Sequence, residues 1–168
     1  MKRYEFLEHK ADLKIKVKGS SKEELFLNAL LGMEEGLRPE TKETKEEIKR
    51  EIKIKSIDLP ALLVDFLNEA LYLIQVHKEI YNKIKFVKFS DNEGKEDKSS
   101  SLPFAAARVG EENKSSSSPF DTARELEGEL IGQKAERFGE DIKAVTYHDL
   151  DIYQKEDGTW EAVVLFDI

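Results

Sequence analysis

The sequence predicts an α+β fold, with two helices packed on a mixed, largely antiparallel β-sheet in a single domain over residues 1–168. Three patterns carry this prediction. An alternating apolar–polar segment lies near the N-terminus, an almost wholly apolar segment spans 60–76, and a short turn joins the last two strand-like segments. Parallel neighbours would need a longer, usually helical, crossover between them, so the final strands are expected to be antiparallel.

The first part of the chain is predicted to form two strands and a helix. Strands are expected at 2–8 and 13–18. In the second of these, Leu13, Ile15 and Val17 alternate with lysines, a period of two that buries one face and leaves the other in water. A helix should follow from about Ser21 to Leu37, because residues 21 and 24 have the Ser-x-x-Glu spacing of a capping box.

The middle of the chain is predicted to hold the most buried element. Residues 39–47 are highly charged and should be exposed, and isoleucines within 48–57 indicate a strand. The helix at 60–76 begins at Pro60, whose missing amide proton costs nothing in a first turn. Its apolar residues cover most of its surface, which predicts deep burial. Residues 80–89 return to strand character.

A segment rich in serine and charge interrupts this pattern at 90–119, where we expect a flexible insertion because little apolar area is available to bury. Strands are predicted again at 126–132, 142–154 and 159–168. Residues 156–158, with the sequence Glu-Asp-Gly, are typical of the hairpin turn between the last two.

Composition excludes several classes of function. The formal net charge of −8, from 35 acidic and 27 basic residues, makes nonspecific nucleic-acid binding unexpected, because a phosphate backbone repels an acidic surface. The absence of cysteine excludes disulfides and thiolate metal sites. We find neither a signal peptide nor an apolar run near the roughly 20 residues of a membrane span, and we therefore expect a cytoplasmic protein with no membrane partner.

Carboxylates provide the main candidate site. Asp12 lies between the first two strands, and Asp167 and Ile168 follow an apolar strand at the other end of the sequence. Two carboxylates plus a terminal or main-chain oxygen of Ile168 would form an all-oxygen site of the kind that calcium or magnesium prefers. Spacing alone leaves open that Asp12 only shapes a turn and that Asp167 only lies at a frayed end.

Three further residues are candidates for supporting roles. His9, three residues before Asp12, could assist a metal site or be a hydrogen-bonded structural imidazole. Lys143 could contact a phosphate or a partner's carboxylate, or simply face solvent, and Glu24 is adequately explained by helix capping. The sequence contains no Gly-rich phosphate loop and no serine-hydrolase signature, so no catalytic residue is predicted.

Four blocks of the sequence resemble the archease family. They are YEFLEHKADLKIKVKG, which contains a His-x-Ala-Asp pattern, LLVDFLNEALYL at 62–73, IKAVTYH at 142–148 and the final GTWEAVVLFDI. The blocks cover the chain apart from parts of 38–57 and most of 90–130. There are two departures. Lys10 stands where the family usually has threonine, which places a cation beside Asp12, and 90–119 looks like an insertion relative to short members.

The resemblance implies a partner function without catalysis. Archeases assist the RtcB-type RNA ligase of tRNA splicing by promoting its guanylylation and its multiple turnover. Matched residue by residue, the family's calcium site falls on Asp12, Asp167 and Ile168, with magnesium or manganese as other possible ions. Lys143 matches a functional lysine, and Glu24 an acidic residue at a helix start.

Two other functions are left open. One is a chaperone or specificity modulator of a tRNA methyltransferase or another RNA-modifying enzyme. The other is a metal-dependent phosphoesterase that uses Asp12, His9 and Asp167, although one histidine and two carboxylates make a sparse active site for that chemistry.

Overall fold

A computed structural model describes residues 2–8, 10–90 and 123–168. The helices are α1 (Lys22–Gly36) and α2 (Leu59–His77). The strands are β1 (Tyr4–Leu7), β2 (Leu13–Gly19), β3 (Pro39–Glu40), β4 (Ile48–Ser56), β5 (Glu79–Ser90), β6 (Arg124–Lys134), β7 (Arg137–Phe138), β8 (Ala144–Thr146), β9 (Ile152–Gln154) and β10 (Trp160–Asp167). The predicted insertion at 90–119 and candidate residue His9 lie outside the described residues, except for Ser90.

The described strands form three sheets in which every pair is antiparallel. The largest has the order β1-β2-β10-β8, with β9 also paired to β10. A second has the order β4-β6-β5, and β3 pairs with β7 in a short ribbon. The predicted α+β class and its two helices are confirmed, with the antiparallel pairing divided between sheets.

Both helices lie between the two larger sheets. α1 contacts β2 and β10 on one side and β5 on the other, while α2 contacts β8 and the strands β4, β5 and β6. The rings of Phe26 and Phe66 lie 5.6 Å apart where the helices meet. A helix covered from both sides must be apolar around most of its circumference, which explains the composition of α2.

By length and composition alone, α2 could cross a membrane, contrary to the expectation from the sequence. Ten of its 19 residues are buried within the fold, among them the fully buried Leu62, Leu63 and Leu67. Its apolar surface is therefore accounted for by the protein core.

The predicted helix starts are accurate to about one residue. Ser21 precedes α1, and its side chain accepts a hydrogen bond of 3.1 Å from the Glu24 amide. Asp58 does the same for α2 by accepting from the Ala61 amide at 2.7 Å, and Pro60 occupies the first turn. These caps satisfy amides that have no partner within the helix.

The predicted strand at 142–154 is wrong in its middle. β8 ends at Thr146, and a turn intervenes before β9, with the Leu150 amide donating to the Tyr147 carbonyl at 3.2 Å. Asp149 adopts a left-handed backbone with φ of 52°, which aspartate tolerates better than most residues. The predicted turn before β10 is confirmed, since Gly158 has φ of 86°.

Among the residues that the structure describes, three carboxylates are buried: Glu34, Glu79 and Glu161. Glu79 accepts two hydrogen bonds from the Arg50 guanidinium, at 2.7 and 2.9 Å, and one from the Tyr81 hydroxyl at 2.6 Å. The Arg50 hydrogen bonds lower the pKa of Glu79 to about 2. This carboxylate is therefore ionised and paired within the fold, as a buried charge must be.

Candidate metal centre at the end of the large sheet

The ladder between β2 and β10 brings the two ends of the chain together. Its last pair is Phe166 with Leu13, and continuing that register by one step sets Asp167 opposite Asp12. Opposed residues in an antiparallel ladder have Cα atoms roughly 5 Å apart and side chains on the same face. The two candidate aspartates, 155 positions apart in sequence, are therefore neighbours at one end of the sheet.

Alternation along the strands separates the candidate residues between two faces. Phe166 and Ile15 are buried against the helices, so Asp167 points to the outer face of the large sheet. Asp12 lines a small pocket there together with Lys14 and Leu165, which belong to that face. Ile168 follows Asp167 and has its side chain on the helix side, so only its main-chain or terminal oxygens could join the two carboxylates.

Lys143 lies at the same end of the sheet. Its backbone amide donates a hydrogen bond of 2.7 Å to the Asp167 carbonyl, one step beyond the pairing of Ala144 with Asp167. The Lys143 side chain is exposed. The lysine thus holds the main chain of Asp167 in place while its ammonium group is available to solvent.

Polar residues of α2 fix the segment that carries Lys143. The Asn68 side chain accepts from the Val145 amide at 2.9 Å and donates to the Val145 carbonyl at 3.2 Å. Gln75 donates to the Ile142 carbonyl at 2.8 Å. The side-chain amides of Asn68 and Gln75 make the hydrogen bonds that a neighbouring strand would otherwise make with β8 and the residues before it. This explains why these two polar residues occur on a largely apolar helix.

Part of this site was not predicted from the sequence. The pocket beside Asp12, of about 130 Å³, is also lined by His148 and Asp149. The His148 Nε2 lies 3.2 Å from the Asp149 Oδ2, and both side chains are mostly exposed. The sequence predicts an unbroken strand over 142–154, which includes His148. The turn after β8 returns it to the outer face, and the His-Asp-Leu-Asp sequence of 148–151 was the only signal for that turn.

The chemistry of this donor set suits a hard cation. Adjacent carboxylates repel each other unless a cation or proton is shared between them, and carboxylate oxygens favour calcium or magnesium over softer metals. Within the described ranges, no three His, Cys, Asp or Glu side chains gather into a ready-made metal site. A site built on Asp12 and Asp167 therefore depends on oxygens beyond side-chain carboxylates, such as those of Ile168.

Glu24 does not join this group. It lies next to the opposite end of β2, roughly 20 Å away at the usual rise per residue. Its carboxylate accepts hydrogen bonds from the Ser20 hydroxyl and, at 2.8 Å, from the Ser20 amide, and these bonds lower the pKa of Glu24. The capping function that the sequence predicts is thus present, displaced by one residue from the usual partner of a capping box.

Comparison with known proteins finds a family that matches nearly the whole chain. The model of the archease protein family (MTH1598/TM1083) matches residues 4–168. The protein archease of Methanosarcina barkeri is 36% identical, covering 99% of this chain and 97% of the relative, and that of Pyrococcus abyssi is 30% identical over 100% of both.

Two solved structures share the architecture. The solution structure of Methanobacterium thermoautotrophicum protein 1598 superimposes with a TM-score of 0.65 at 28% identity, covering 100% of both chains. The Thermotoga maritima crystal structure described as an archease, possible chaperone, has a TM-score of 0.53 at 24% identity, covering 96% of this chain and 94% of that one. Since the family model spans nearly the whole chain and relatives above 30% identity match from end to end, this protein belongs to the archease family.

Proposed function

We propose that this protein is a cytoplasmic, non-catalytic, metal-binding activator of the RtcB-type tRNA-splicing ligase that promotes ligase guanylylation and multiple turnover. The observation that supports the proposal is the β2–β10 register, whose continuation by one step beyond Phe166 and Leu13 would set Asp167 opposite Asp12. The resemblance to archeases is the reason for proposing this partner class, and the register suggests a place at which oxygen ligands can act together.

The residues at the sheet end have distinct roles in this proposal. Asp12 and Asp167 hold a divalent cation, with calcium as the first choice, and Ile168 contributes a main-chain or terminal oxygen. A bound calcium ion would neutralise the carboxylates and leave coordination positions for phosphate oxygens. Lys143, which is exposed at the same end of the sheet, attracts a phosphate or an acidic group of the ligase site.

The test is ligase guanylylation with GTP and metal, measured with and without this protein. Asp12→Asn and Asp167→Asn keep side-chain size while removing one charge each. We expect both variants to lose stimulation, by roughly tenfold or more, because each replaces a charged ligand with a neutral amide oxygen that binds a hard cation less strongly. Glu156→Gln, in the exposed turn before β10, loses the same charge away from the site and should stimulate normally. Full stimulation by both aspartate variants would reject the proposal.

One alternative function, that of a chaperone, is also supported by a specific finding. The Thermotoga maritima relative is described as a possible chaperone, which favours a role as chaperone or specificity modulator of an RNA-modifying enzyme such as a tRNA methyltransferase. Co-purification separates the two functions. Recovery of a methyltransferase without the ligase would favour the alternative, and recovery of the ligase would favour the activator function.

A further inference from the structure

A second concave surface lies on the helix side of the same sheet end. This hollow, of about 620 Å³, has an apolar floor formed by Phe6, Leu13 and Ile168. Phe6 is 39% exposed and Ile168 49% exposed, so the floor presents apolar surface to solvent. Leu13 and Ile168 directly adjoin the aspartates of the metal site, so the hollow and that site occupy opposite faces of one ladder end.

The rim of the hollow is acidic. Glu35, Glu140 and Asp141 contribute three carboxylates, against the single cation Arg38. Arg38 lies 3.4 Å from Glu140, with 75% of its own side chain and 55% of the glutamate's exposed, so the pairing is loose and leaves net negative charge.

The C-terminal end of α1 adds to the negative electrostatic potential of the hollow. The last turn of α1 contains no basic residue, and the helix ends at Gly36 on the wall of the hollow. The partial negative charge at a helix C-terminus is commonly offset by lysine or arginine. Among the described residues that line the hollow, the one cation that can offset this charge is Arg38, two residues after the helix.

We infer that this hollow is the docking site for an arginine-bearing loop of the protein partner. An arginine fits the surface better than a lysine because its planar guanidinium can stack on the Phe6 ring and pair with a rim carboxylate at the same time. The apolar floor receives the methylene groups of that arginine and an adjoining apolar side chain. The inference rests on the proposed function for the identity of the partner.

Binding to the RtcB-type ligase tests the inference separately from stimulation. We expect Asp141→Lys to weaken the Kd by roughly tenfold or more and to flatten its salt dependence. The matched control Glu156→Lys makes the same charge change in an exposed turn and should alter the Kd less than about twofold, in line with an uninvolved surface charge. For the apolar floor, Phe6→Ala should weaken binding, whereas Val87→Ala, at a 72% exposed position on the other sheet, should not.

The outcomes separate the two proposals. If the wild type binds the ligase and Asp141→Lys binds equally well, the hollow is not the docking site, although the activator function stands. If the wild type does not bind the ligase, the proposed function fails, and NMR titration with millimolar N-acetylarginine amide decides the inference. Amide shifts at Phe6, Gly36 and Ile168 that are absent with the citrulline analogue would support it. Absence of shifts would overturn it.

Discussion

Glu34 makes the stability of this protein depend on pH in a direction unusual for a carboxylate. It lies on α1, is 6% exposed, and its Oε1 accepts a hydrogen bond of 2.5 Å from the Tyr81 amide. Burial, only partly opposed by that hydrogen bond, raises the pKa of Glu34 from 4.5 to about 8. At neutral pH the side chain is thus protonated in the folded protein and ionised in the unfolded chain.

The sign of the effect follows from proton counting. Between pH 4.5 and about 8 the folded state binds one more proton than the unfolded state, so the free energy of unfolding falls as pH rises. The stability that protonated Glu34 contributes to the folded state is fully present below pH 4.5 and is lost above about pH 8. At about 1.4 kcal/mol for each tenfold change in proton affinity, the pKa difference sets a ceiling of about 5 kcal/mol.

Glu34→Gln removes this titration while keeping an oxygen that can accept from the Tyr81 amide. Urea unfolding from pH 4.5 to 9 should show the variant gaining stability over the wild type as pH rises, by several kcal/mol at the alkaline end. Glu69→Gln, at an exposed position on α2, should follow the wild-type curve. Parallel pH profiles for wild type and Glu34→Gln would refute the argument, as would an NMR titration that gives Glu34 an ordinary pKa.

Two other substitutions test the polar contacts of the fold. Asn68→Leu leaves the buried Val145 amide and carbonyl without their side-chain partners and should lower the free energy of unfolding by about 2–4 kcal/mol, measured in urea. Asn68→Asp keeps only the acceptor, so its stability should lie between those of the wild type and Asn68→Leu. A wild-type unfolding midpoint for Asn68→Leu would contradict this. Arg50→Met removes the main partner of a fully buried carboxylate and should cost roughly 3 kcal/mol. The double variant Arg50→Met/Glu79→Gln should recover part of that loss in the same assay, and no recovery would show that the charge pair is not the cause.

Local patterns predicted most of the elements because each has a local physical cause. The alternation of Leu13, Ile15 and Val17 identified β2, and the serine at 21 marked the start of α1 almost to the residue. The apolar run of α2 predicted deep burial, but no local pattern indicated that sheets cover the helix from both sides. The layering is set by contacts between residues far apart in sequence, which periodicity does not encode.

The candidate site was predictable only through the family resemblance. Spacing gave Asp12 and Asp167 no reason to meet, since their proximity depends on the register of two strands at opposite ends of the chain. The position of His148 beside Asp12 was not predicted, because the sequence pattern indicated a continuous strand and the turn was marked only by Asp149, which adopts positive φ. Glu24 shows the reverse case, in which a local capping pattern fully accounts for a residue that the resemblance left open as a site residue.

The period of two in β10 is what allows one strand end to serve two surfaces. Asp167 faces outward with Asp12, and the next residue, Ile168, faces the hollow with Leu13. A slip of one residue in this ladder would exchange the faces, placing carboxylates against the apolar floor and apolar side chains at the candidate metal site. The burial of Phe166 opposes such a slip, because its ring would then leave the core. Core packing therefore fixes the geometry of both surfaces at once. The distance between the two surfaces cannot change without unfolding, so a partner that binds both must match that fixed distance.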